Sequence, residues 1–169
     1  MENVSLLTIA FLVFLISQRL VELVIAKRNT ENLIKQGAVE HGADHYPYMV
    51  VMHALWVMSI VVLGYENALN LGWLAVYALL QIFRIWILAT LGPRWTTRII
   101  VLDKPLVKAG PFRFFEHPNY ILVVAEIFVT PMVLGLWTVA IIFTLLNAAM
   151  LYVRISAENK ALAHLREST

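Results

Sequence analysis

Two short stretches hold the residues best suited to chemistry. The first runs Gly110, Pro111, Phe112 and Arg113, then Glu116, His117, Pro118, Asn119 and Tyr120. The second is Arg154, Glu158 and Asn159. Arg154 and Glu158 are four apart, so on a helix they share a face. Basic, acidic and imidazole groups gathered in one place can orient a charged ligand or move a proton. The sequence has no cysteine, which excludes disulfides, thiolate nucleophiles and cysteine metal sites. The same residues also fit a plainer role: a charged helix end, an interfacial tyrosine and an exposed loop.

Other chemistries find no support in the spacing. His41 and His45 are four apart beside Asp44, but Gly42 stands where a zincin glutamate is needed. His117 and His164 stand alone in the sequence, so no metal is expected. There is no serine elbow, phosphate loop or dinucleotide glycine pattern. The net charge is +2 and no basic stripe alternates with exposed aromatics, so no nucleic-acid partner is expected.

The elements that carry these residues are membrane spans. The 169 residues are 60% hydrophobic and 14% charged, and the mean hydropathy is +0.75. Soluble domains carry about a quarter charged residues. Runs of about 18 or more apolar residues read as helices that cross the hydrocarbon core. The reading is one all-α, polytopic membrane domain over 1–169 with about five transmembrane helices. The spans fall near 4–26, 48–64, 71–91, 119–134 and 136–153. The last two form a hairpin around Pro131 and Gly135.

The first run carries Glu2 rather than basic residues at its start and shows no small-residue cleavage site. A retained helix fits better than a signal peptide. Residues 27–47 read as loop with a short surface helix through Leu33 and Ile34. Residues 92–118 are the longest polar connection, and a loop of that length is more often functional than accidental. Lysine and arginine concentrate in 27–47, 92–118 and the tail from 154. Five spans put all three segments on one side. The positive-inside rule then places the N-terminus outside and segments 92–118 and 154–165 in the cytoplasm.

Polar side chains at membrane depth are costly unless paired or hydrated. The candidates are Arg19, Glu22, His53, Gln81, Arg84, Glu126, Asn147 and Arg154. Arg84 lies well inside the third run, with Gln81 one turn before it. It either ties helices together or faces a ligand. Arg19 and Glu22 are expected near the membrane exit of the first helix, where both can snorkel to the interface. His53 is expected to pack or to make a single hydrogen bond. The hairpin returns the end of the fifth span to the start of the fourth, which brings Arg154 and Glu158 toward His117 and Tyr120.

The stretch LVKAGPFRFFEHPNY resembles the signature of the isoprenylcysteine carboxyl methyltransferase family. RISAENKAL resembles that family's second signature, an arginine followed by acidic positions on the final helix. LGPRWTTRI and the chain's size resemble the small bacterial branch, as does SQRLVELVIAKRN near the start. One such branch O-methylates long-chain alkylpyrones made by type III polyketide synthases. The resemblance is most specific over 92–165.

It implies S-adenosylmethionine as cofactor and a lipophilic acceptor arriving sideways from the membrane lipid. Residue by residue, it implies cofactor binding by Leu106, Val107, Gly110, Pro111, His117, Tyr120 and Glu158, and Arg113, three residues before Glu116, is expected to bind the cofactor in place of the motif's arginine. Arg154 and Glu158, with Arg84, are the expected catalytic residues. Two positions depart from the pattern. Glu116 stands where arginine usually precedes the histidine, and Asn159 takes the second acidic position.

Methyl transfer from a sulfonium needs acceptor oxygen, methyl carbon and sulfur in line. An acceptor already anionic at neutral pH, a carboxylate or an acidic enol, needs no strong base. An alcohol needs one, and His117 is the histidine near the motif. A protein prenylcysteine acceptor and a non-catalytic scaffold or small transporter remain open. The spans show no inverted repeat of the kind transporters use.

Overall fold

The computed structural model describes residues 5–167, with side chains through Ala163. Five α-helices form the body: α1 (Leu6–Lys35), α2 (Tyr46–Gly64), α3 (Leu71–Leu91), α4 (Pro118–Met132) and α5 (Trp137–Glu167). Among the described residues α1, α2, α3 and α5 are long and apolar enough to cross a bilayer, and α4 is a shorter apolar helix. The chain is an all-α polytopic membrane protein whose last two helices form a hairpin.

The faces agree with a lipid solvent. Leu20 and Val24 on α1, Leu79, Ile82 and Ile85 on α3, and Leu145 on α5 are all exposed. An apolar surface this continuous marks a membrane or partner contact. Inside, Leu15, Trp56, Ile60, Ile127 and Val133 are fully buried in one cluster. Trp56 Nε1 donates to the Ile127 carbonyl at 3.2 Å, so its polar edge is satisfied.

The hairpin has a local cause. Pro131 lacks an N–H and α4 stops one residue later. Gly135 then takes φ +69°, a left-handed conformation that costs glycine little. The Asn67 side chain donates to the Leu134 carbonyl at 2.8 Å, and the Asn70 N–H to the Val133 carbonyl at 2.8 Å. The α2–α3 turn therefore closes over the hairpin turn at one end of the bundle.

The opposite end differs from the sequence reading. α1 does not stop near residue 26 but continues to Lys35. Residues 27–35 contain neither glycine nor proline, so nothing breaks the helix before Gly37. Two strands follow, β1 (Val39–His41) and β2 (Ile99–Val101), paired antiparallel with Val39 opposite Val101 and His41 opposite Ile99. Segments read as irregular are thus stitched into a ribbon, which rests on the extended end of α5 through Ile99, Val101 and Ala161.

Arg19 and Glu22 also sit elsewhere than expected. They lie in the middle of the extended α1 and face the bundle rather than its rim. Arg84 Nε donates to Glu126 Oε1 at 2.8 Å, its Nη1 to Glu22 Oε2 at 2.7 Å, and its Nη2 to Glu126 Oε2. Arg19 bridges the same two carboxylates, at 3.2 Å to Glu22 and 2.9 Å to Glu126. Gln81 donates to Glu126 at 3.0 Å, and Gln18 joins Gln81 to Tyr77. Two cations meet two anions, which is how charge is tolerated at membrane depth.

Candidate functional site

Tyr120 lies in the first turn of α4, set by Pro118 at the helix start, where a missing N–H costs nothing. Its phenol donates to Glu158 Oε2. His117 Nε2 lies 3.1 Å from Asn159 Oδ1, so that nitrogen carries the proton. Its Nδ1 lies 3.7 Å from Glu158 Oε1. The Arg154 guanidinium carbon stands 5.9 Å from the centre of the Tyr120 ring. Arg154 Nη2 donates to the Thr97 carbonyl at 2.9 Å. Arg154 is 6% exposed and makes no salt bridge among the described residues.

These groups line one large cavity of about 1050 Å³. Ligand pockets commonly occupy about 300–1,000 Å³, so this space exceeds what a single small molecule needs. Its walls come from all five helices and the loop between α3 and α4. At one end stand Arg154, Glu158, His117, Tyr120 and Asn119. Toward the bundle interior it passes Met49 and Leu151, reaches Arg19, Arg84, His53 and Asn147, and continues along α2 past Val57 to Val61 and Val62.

The ribbon end is pinned through Arg98. Arg98 Nη1 donates to Glu40 Oε1 at 2.6 Å, and its guanidinium carbon lies 4.1 Å from the Tyr46 ring centre. Partial burial lowers the Arg98 pKa, but the Glu40 hydrogen bond and charge, with Tyr46, raise it above its ordinary value. The Tyr46 hydroxyl meets Thr97 Oγ1 at 3.0 Å. The residue that holds Arg154 is thereby tied to the connection between α1 and α2.

The structure gathers His117, Tyr120, Arg154 and Glu158, as the hairpin argument expected. Leu106 and Val107 also line the cavity. Gly110, Pro111 and Arg113 are not among the lining residues. Gly110 has φ +54°, and an added Cβ there would collide with the Thr90 side chain and come 3.1 Å from Trp86 Nε1. It sets how closely the loop lies on α3. Arg113 is exposed. Arg84 lines the inner wall, with three of its nitrogens given to carboxylates. The sequence reading passed over Arg94, Tyr46 and the Thr97 carbonyl. The density of basic residues in 92–118 hinted at Arg94 and the loop that holds Thr97, and no signal pointed to Tyr46.

The donor set fits S-adenosylmethionine. Glu158 offers a carboxylate to an amine or to ribose hydroxyls, Arg154 offers an uncommitted cation, and Tyr120 offers a ring beside both. No group of three or more metal-ligating side chains occurs among the described residues.

A multi-pass helical bundle enclosing a large cavity with charged groups at one end defines an integral membrane protein with an internal site. The chain belongs to the isoprenylcysteine carboxyl methyltransferase family, whose model matches residues 73–164. It is 40% identical over 154 residues to a Bacillus subtilis (strain 168) protein called uncharacterized protein YpbQ, covering 88% of this chain and 92% of that one. It is 22% identical over 156 residues to an uncharacterized protein of Haemophilus influenzae (strain ATCC 51907 / DSM 11121 / KW20 / Rd), covering 87% and 90%. No solved structure matches it. Family membership makes the protein methyltransferase-like, in a family that uses S-adenosylmethionine.

Proposed function

We propose that this protein is an S-adenosylmethionine-dependent O-methyltransferase for a lipophilic acceptor with an anionic oxygen, an alkylpyrone-like enol or a carboxylate. The observation that carries the reading is Arg154. It is a buried guanidinium on the cavity wall with a backbone carbonyl for a partner and no carboxylate. A buried cation without a counter-charge is costly, and an anionic ligand relieves that cost.

In this reading Glu158, Tyr120, His117, Leu106 and Val107 hold the cofactor, which supplies an electrophilic methyl group on a sulfonium. Glu158 takes the cationic amine or the ribose hydroxyls. Tyr120 fixes the Glu158 carboxylate through its phenol, and Asn159 fixes the His117 ring. Arg154 holds the acceptor oxygen as an anion and orients it. Alignment of this kind can supply several kcal/mol of the barrier, roughly 7–11 at the upper end. The apolar walls exclude water and receive the acceptor's tail. Arg84, committed to Glu22 and Glu126, acts by holding the inner wall in place. Gly110 and Pro111 fix the loop behind Leu106 and Val107, and Arg113 stays at the loop surface. The positive-inside pattern supports a cell-membrane protein with its N-terminus outside and the charged end of the cavity in the cytoplasm.

Calorimetric titration of the detergent-solubilised protein with S-adenosylmethionine tests the reading. Saturable binding that weakens in Glu158→Ala is the expected result. No binding to folded protein overturns it.

A further inference from the structure

We propose that Asn147 and His53 form a second polar subsite partway along the cavity. It would bind a hydroxyl or carbonyl oxygen carried partway along the acceptor's apolar chain. The proposal rests on the methyltransferase reading only for which end of the acceptor reacts.

Asn147 is 1% exposed and lines the cavity. Its side-chain amide makes no hydrogen bond among the described residues. A buried amide left unpaired is a standing cost, and natural interiors rarely keep one without use. The charged groups at this depth pair with one another, Arg19 and Arg84 with Glu22 and Glu126, although Arg19 Nε and the Thr130 and Thr144 hydroxyls have no partner. Asn147 stands apart from that quartet.

His53 faces the same cavity from α2, which packs on α5. Its Nδ1 lies 2.9 Å from the Met49 carbonyl. A carbonyl only accepts, so Nδ1 carries the proton and Nε2 of the neutral ring is left as an acceptor. This part of the cavity thus offers an amide that donates and accepts and an imidazole that accepts. A hydroxyl satisfies both, and a carbonyl satisfies the amide.

The spacing fixes where this oxygen sits. Asn147, Leu151, Arg154 and Glu158 all line the cavity and recur at helical spacing on one face of α5. At about 1.5 Å per residue, Asn147 lies roughly 10 Å along the axis from Arg154 and roughly 16 Å from Glu158. The acceptor class is therefore a lipid with a second oxygen function on the order of 10 Å from the oxygen that is methylated. A plain alkyl or prenyl chain leaves Asn147 buried and unpaired.

The test uses the full chain in lipid nanodiscs without cofactor and measures equilibrium binding of radiolabelled stearate and of a stearate hydroxylated near mid-chain. Wild type is expected to bind the hydroxylated probe roughly tenfold more tightly. Asn147→Leu should erase that preference while keeping stearate binding. His53→Phe, which keeps an aromatic ring and removes both nitrogens, should reduce it, and it decides alone if Asn147→Leu does not fold. Equal binding of the two probes to wild type, no binding of either, or a preference that survives the available variant overturns the proposal. Cofactor binding with no probe preference breaks only the subsite. A probe preference without cofactor binding breaks only the methyltransferase reading.

Discussion

Arg84 and Arg154 are buried to the same degree, 5% and 6% exposed, yet they stand in opposite circumstances. Arg84 lies between Glu22 and Glu126, with Arg19 completing a neutral quartet. Arg154 has the Thr97 carbonyl and the face of Tyr120, and no carboxylate. Both line the same cavity. A matched charge holds helices in register, whereas an unmatched one keeps free energy in reserve for a ligand. Burial alone therefore does not distinguish these two arginines; the presence of a paired carboxylate does.

The contrast is open to direct attack. Arg84→Met leaves two buried carboxylates sharing Arg19 and should lower unfolding stability by about 3–5 kcal/mol, read by thermal unfolding in detergent. A loss well under that figure would mean the quartet is hydrated and the contrast weaker than drawn. Arg154→Met should do the reverse. Stability should hold or rise slightly, while methyl transfer to an anionic acceptor falls roughly 100–1,000-fold, the range seen when one charge-stabilising donor is removed. Unchanged turnover in Arg154→Met would make both arginines structural.

Tyr120→Phe removes one hydrogen bond to Glu158 and keeps the ring. A cost of about 1 kcal/mol, or roughly fivefold in S-adenosylmethionine affinity, is expected by calorimetry. The smallest effect belongs to the half-buried pair of Arg98 and Glu40 near the surface: Arg98→Gln should change stability by less than about 1 kcal/mol, with the loss shrinking as salt is added. A larger effect would show that the ribbon, and not Arg154 alone, sets the charged end.

Parts of this arrangement were legible in the residues. Four-residue spacing put Arg154 and Glu158 on one face, and a short hairpin turn made their approach to His117 and Tyr120 unavoidable. The quartet was not legible. Arg19 and Glu22 read as a helix end because nothing in the apolar run tells where a helix stops once it leaves the bilayer, and α1 continues to Lys35. Glu126 could not be assigned to Arg84, because an ion pair across helices depends on how those helices pack. The strands were hidden for another reason: three residues are too few for an alternating pattern to register. Asn147 was visible as an expensive residue, but its lack of a partner emerges only when every neighbour has been placed.

The ribbon has a consequence for anyone who would cut or recombine this chain. The family match begins at residue 73 and includes β2, whereas β1, its pairing partner, lies at 39–41. A fragment that kept only the matched portion would bare a three-residue strand edge carrying Ile99, Ile100 and Val101. Unpaired apolar edges recruit other strands. The connection between α1 and α2 thus covers that edge, and chimeras should be joined on the far side of β1.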